Sequence, residues 1–330
     1  MNGKLISLIT VLALGASTPG LAQDLLPGET ATDVPSIEGV TSGDAEWEMV
    51  WSGPMNVDGM STAPDGNLLF AQEQSNAIWK LWSDGQAFIE LPYVTGAGSS
   101  SVDADGNIYA VERGCTDPGL MELTCDRATR VMQLTPERRV IADRFEDGSS
   151  LGRLNDLFVD GEGGAWFTQG NLYHTDAEGN VRTIYEPNVF TNGVVASPDG
   201  NTLYVTDLRD IVAFNLNTGV RGATSGIFAT LDEDEAGFGG DGMAVDAQGR
   251  LYVTGDAGVY VFASDGTKLG LIPAPRRTIT LTFAGPDRST LYVGAMGAAT
   301  PDGEAWETPE GIRNVAMTIY RLETLTSGVR

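Results

Sequence analysis

One phrase recurs along this chain: an apolar segment, a tight turn built on Asp-Gly or its equivalent, then an apolar and aromatic strand. Its copies are Pro64-Asp65-Gly66-Asn67-Leu68-Leu69-Phe70, Asp105-Gly106-Asn107-Ile108-Tyr109, Gly161-Glu162-Gly163-Gly164-Ala165-Trp166, Pro198-Asp199-Gly200-Asn201-Thr202-Leu203-Tyr204, Gln248-Gly249-Arg250-Leu251-Tyr252 and Pro286-Asp287-Arg288-Ser289-Thr290-Leu291-Tyr292. Each reads as a β-hairpin, because the left-handed turn residue reverses the chain between two runs that bury apolar side chains. A third strand and a second turn follow most copies, as in Ile78-Trp79-Lys80-Leu81-Trp82 before Asp84-Gly85. Four strands per repeat and turn positions at 66, 106, 163, 200, 249 and 288 give an interval near the ~40–50 residues of a propeller blade. A blade cannot bury both faces alone, whereas six stacked radially bury one another. The expected fold is therefore all-β, a six-bladed β-propeller with four antiparallel strands per blade. The alternation of Trp47, Met49 and Trp51 with polar residues predicts that the segment Glu46 to Trp51 closes the last blade, since too little chain follows Leu322 to supply another strand.

The ends of the chain are different in character. Residues 1–22 read as a signal peptide: Lys4, an apolar run from Leu5 to Ala16, and small residues ending Gly20-Leu21-Ala22, a run too short to span a bilayer. Residues 23–44 carry Thr, Gly, Pro and acids without periodicity and are expected to form a flexible leader. Residues 45–330 are the propeller domain. The expected location is periplasmic or secreted, and in such a compartment Cys115 and Cys125 are expected to form a disulfide that staples an extended second-blade loop.

Composition narrows the chemistry. A single histidine, His174, and two cysteines exclude histidine-pair or four-thiolate zinc sites. Forty-five acids against 20 bases oppose binding to nucleic acid or to an anionic membrane surface. His174 belongs to a third strand, where packing is its expected role.

Counting eight residues back from each turn position gives equivalent points in the six repeats: Asp58, Gly98, Asn155, Asn192, Asp241 and Thr280. In a propeller this point starts the innermost strand, at the rim of the central channel. Four blades thus aim Asp58, Asn155, Asn192 and Asp241 at one axis. Two carboxylates and two amide oxygens suit one divalent cation, Ca²⁺ first, with Mn²⁺, Mg²⁺ or Zn²⁺ as alternatives. Asp241 is the expected proton acceptor.

The phrases Arg153-Leu154-Asn155-Asp156, Thr191-Asn192-Gly193, Gly240-Asp241-Gly242-Met243 and Leu281-Thr282-Phe283-Ala284-Gly285-Pro286-Asp287 resemble the gluconolactonase, regucalcin and luciferin-regenerating enzyme family over about residues 50–325. The resemblance implies a metal-dependent hydrolase of sugar lactones or related esters. It implies Asn192 and Asp241 as ligands, Asn155 beside metal or substrate, and Arg153 as a substrate-binding residue. Two positions depart from the family pattern: Asp58-Gly59 stands for its Glu-Gly, and Thr280 for a frequent Asn. Alternatives with the same channel are an aryl-esterase or phosphotriesterase, and a non-enzymatic ligand- or protein-binding propeller with structural calcium.

Overall fold

The computed structural model describes residues 25–329 apart from 117–123, 126, 188, 218, 220–223, 233–238, 309–310 and 313–315. The expected signal peptide lies outside the described residues. Six four-stranded antiparallel sheets form the body of the molecule. Blade one runs outward from the inner strand Asp58–Thr62 through Leu68–Gln72 and Ala77–Leu81 to Ala87–Pro92. Blades two to five repeat the order, with inner strands Ala97–Val102, Leu157–Val159, Thr191–Ala196 and Met243–Val245. Inner strands of adjacent blades meet around the axis. Among the described residues no helix is long and apolar enough to cross a membrane.

Blade six takes three strands from the C-terminal part of the chain, Thr278–Ala284, Thr290–Met296 and Met317–Glu323, and its outer strand from Glu48–Gly53. Met49 lies opposite Tyr320 and Ser52 opposite Thr318, with a bulge between Met49 and Trp51. Trp47, just before the strand, is buried, whereas Met49 is exposed, contrary to the expectation that both face the core.

The apolar residues of each hairpin interleave with those of the next blade. Tyr252, Val259 and Val261 of blade five pack with Leu281, Phe283 and Leu291 of blade six. Tyr109 and Val111 of blade two pack with Leu157 and Phe167 of blade three.

Over the described part, the residues expected to form a flexible leader pack against the propeller. Val34, Ile37 and Val40 are buried in the same cluster as Trp47, Tyr252 and Tyr320. The segment is tied down by Thr30 N donating to Pro275 O at 2.9 Å, by Arg276 donating to Pro27 O at 2.7 Å, and by Tyr320 Oη donating to Glu29. Three apolar side chains at intervals of three suffice to dock an irregular strap into the seam between blades five and six, although they make no periodic signal. The C-terminal tail closes the opposite side of this seam, where Gly328 bridges Asp246 and Ala247 N donates to Ser327 O at 2.8 Å.

His174 lies on the third strand of blade three, as expected. It is buried against the Trp166 ring at 4.5 Å, with Nε2 2.9 Å from Asp160 Oδ2, which is a packing role.

Candidate active site

The register positions meet at the channel because each marks a break in its ladder. Pairing shifts between Asp58 and Ser61, between Ala97 and Ser99, between Thr191 and Val194, and between Thr278 and Thr280. Asn155 and Asp241 lie just before their strands. A residue freed from the ladder can turn its side chain toward the axis. The glycine after it admits the next blade: a Cβ on Gly193 would stand 2.2 Å from Asp241 O, and one on Gly242 2.9 Å from Thr280 Cα. Asn192-Gly193 and Asp241-Gly242 are thus two joints of one ring.

That ring lines a cavity of about 810 Å³ to which Asp58, Asn155, Asn192, Asp241 and Thr280 all contribute. Asn155 Nδ2 donates to Asn192 Oδ1, which pulls the two amides together. Thr280 Oγ1 accepts from Met60 N at 3.0 Å, joining blade six to blade one. Asp156, the neighbour of Asn155, accepts from Ser99 Oγ at 2.7 Å, from Leu157 N at 2.9 Å and from Val194 N at 2.9 Å. Three blades are thereby held by one carboxylate. Burial pushes the Asp156 carboxyl above the ordinary carboxylate range despite those donors.

Asp241 is in a different situation. Burial first, and then the charges of Asp58 and Asp156, push its carboxyl well above the ordinary range. Among the described residues no donor meets its side chain. A recessed carboxylate repelled by its neighbours and lacking a donor is one that a cation would complete. Asn155 and Asn192 each accept one hydrogen bond at the amide oxygen, and a carbonyl oxygen has two lone pairs. The oxygen donors present therefore fit a hard divalent ion. Asp58 is committed elsewhere: its Oδ2 accepts from Arg113 Nη2 at 2.9 Å and its Oδ1 from Gly59 N at 2.9 Å.

Arg153 is joined to the ring through Glu73 and Arg113. Its Nη2 donates to Glu73 Oε2 at 2.8 Å, its side chain is 35 % exposed, and its buried Nε has no acceptor. Burial and the neighbouring Arg113 charge lower its hold on the proton, although a guanidinium stays charged throughout. Glu73 also accepts from Arg113 Nη1 at 2.8 Å and is itself buried.

Glu73 and Arg113 were not singled out in the sequence, yet the turn position marks them too. Counting seven forward gives Glu73, Arg113, Gly170, Asp207, Asp256 and Ala295: a charged residue at four of the six second-strand ends. Asp207 and Asp256 are likewise bonded, to Tyr185 and to Arg277.

The fold and this ring define a six-bladed propeller with an oxygen-lined axial site. Residues 95–297 match the SMP-30/Gluconolactonase/LRE-like region. The chain belongs to that family. A pentonolactonase of Haloferax volcanii is 29 % identical over 206 residues, covering 58 % of this chain and 70 % of that one. Two solved structures share the architecture. A gluconolactonase from Xanthomonas campestris has a TM-score of 0.68 at 21 % identity, over 90 % of this chain and 96 % of that one. Regucalcin from Agrobacterium tumefaciens, a calcium-binding protein, has a TM-score of 0.61 at 17 % identity, over 87 % and 98 %.

Proposed function

We propose that this protein is an exported, metal-dependent hydrolase of a small lactone, a sugar lactone or related cyclic ester. One observation carries the reading: Asp241, a recessed carboxylate that no donor meets among the described residues, lines one cavity with the amide oxygens of Asn155 and Asn192. Family membership and the names of the relatives support it. Arg153, anchored through Nη2 on Glu73 and 35 % exposed, orients the substrate ring through its guanidinium. Asp241 takes a proton from the attacking water as its oxygen bonds to the carbonyl carbon. It returns that proton to the ring oxygen when the acyl C–O bond breaks, and the product is the open hydroxy acid. A divalent cation held by Asn155, Asn192 and Asp241, Ca²⁺ first, supplies polarisation of the carbonyl and a more acidic water.

Activity and metal content measured on the same variants test this. Asp241→Ala is expected to lose bound metal and about 10²–10⁴-fold in rate. Arg153→Ala is expected to retain metal and raise KM. Full lactone hydrolysis by a metal-free Asp241→Ala protein would overturn the proposal.

The proposal includes export through residues 1–22 and a Cys115–Cys125 disulfide. In support, Cys115 lies directly opposite Cys125 in a short ribbon of Cys115–Thr116 with Thr124–Cys125. Intact mass before and after alkylation under denaturing, non-reducing conditions should show no free thiol in the exported protein.

A further inference from the structure

Blade two puts no side chain into the register ring, because its register residue is Gly98. A Cβ there would stand 2.4 Å from Nε of Arg113 and 2.8 Å from its Cζ. The missing side chain is the space through which the arginine passes. Arg113 follows the second strand of the same blade, Ile108–Glu112, and its side chain is 3 % exposed. Its fork makes four hydrogen bonds. Nε donates to Leu154 O at 2.9 Å, Nη1 to Glu73 Oε2 at 2.8 Å, and Nη2 to both Asp58 Oδ2 and Asn155 Oδ1 at 2.9 Å. Two of the four register oxygens offered to a metal ion are therefore already met by a cation of the protein.

We propose that Arg113 is a resident counter-ion of the channel, which claims Asp58 as its own partner, keeps it from ligating the divalent ion, and weakens the site's hold on that ion. The proposal rests on the metal-site reading above. A guanidinium cannot shed its charge, and it meets carboxylate and amide oxygens in a fixed fork. Surrendering Asp58 to an incoming ion would leave a buried cation short of an anion, which is strongly unfavourable. Asn155 differs, since its amide oxygen can face both the arginine and a metal ion. The positive charge so close to the remaining ligands also repels a divalent ion directly. The shorter Asp58, where the family pattern has Glu, is consistent with a side chain that reaches the arginine instead.

The experiment is calorimetric titration of Ca²⁺ and of Mn²⁺ into the unaltered protein, Asp58→Asn, Arg113→Gln and the double variant, with Tm recorded for each. Asp58→Asn is expected to weaken binding by less than about tenfold, the loss of one nearby charge. Arg113→Gln is expected to tighten binding about tenfold, and the double variant to lose that gain. Weakening by Asp58→Asn beyond about tenfold would make Asp58 a ligand and overturn the proposal, even if Arg113→Gln fails to fold. An Arg113→Gln protein that folds and binds no tighter than the unaltered one would overturn it as well. In both cases the metal-site reading survives. If none of the four proteins binds either ion, the metal-site reading falls and the proposal falls with it.

Discussion

Asp156 shows how much can rest on one side chain. Its three donors come from blades two, three and four, so Asp156→Ala strands two backbone N–H groups and a hydroxyl at the channel wall. The expected cost is about 2–4 kcal/mol, read as a lowered denaturation midpoint with an unchanged m-value. At the surface, Asp199 tests the turn chemistry. Ser197 Oγ at 2.6 Å, then Asn201 N at 3.1 Å and Asn201 Nδ2 at 2.9 Å, hold its carboxyl down from 3.8 to about 2. A depressed carboxylate favours the folded state above its unfolded pKa, and this contribution fades as pH falls from 3.8 to about 2. An NMR titration of the Asp199 carboxyl carbon should show the low midpoint, and Ser197→Ala should raise it. Asp199 was legible in the sequence because a hairpin turn is a local event. Asp156 was visible only as a member of a phrase, since its partners lie 57 and 38 residues away.

At the scale of the element, the strand Glu48–Gly53 and the strap before it are separable. The strand supplies hydrogen bonds to Met317–Glu323, whereas the strap supplies Val34, Ile37 and Val40 to the seam. A protein beginning at residue 46 should fold with a lowered Tm, because about three buried apolar side chains are lost, each contributing about 1.5–3 kcal/mol as an upper estimate. One beginning at residue 54 should aggregate, since it bares the edge of blade six. Thermal melts and light scattering of the two proteins distinguish these outcomes, and equal behaviour would count against the division. The closing strand was legible because Trp47, Met49 and Trp51 alternate. The strap was not, because Val34, Ile37 and Val40 follow neither a helical nor a strand period.

For the molecule as a whole, repetition made the six blades legible and turned the turn position into a ruler for the channel. The ruler located Asp58, Asn155, Asn192 and Asp241, which share one cavity. It could not reveal that Asp58 is paired with Arg113, because that pairing joins two blades and depends on the gap at Gly98. The same interlocking has a kinetic consequence. Glu48 and Arg321 are paired across 273 residues of chain, so the seam cannot form until nearly the whole polypeptide has been synthesised. Such remote pairing makes folding slow. Until it forms, the nascent chain is an open fan with an unpaired border. For the export proposed above, late closure would leave the chain open to threading through a pore, the ring locking only once both ends are on the same side.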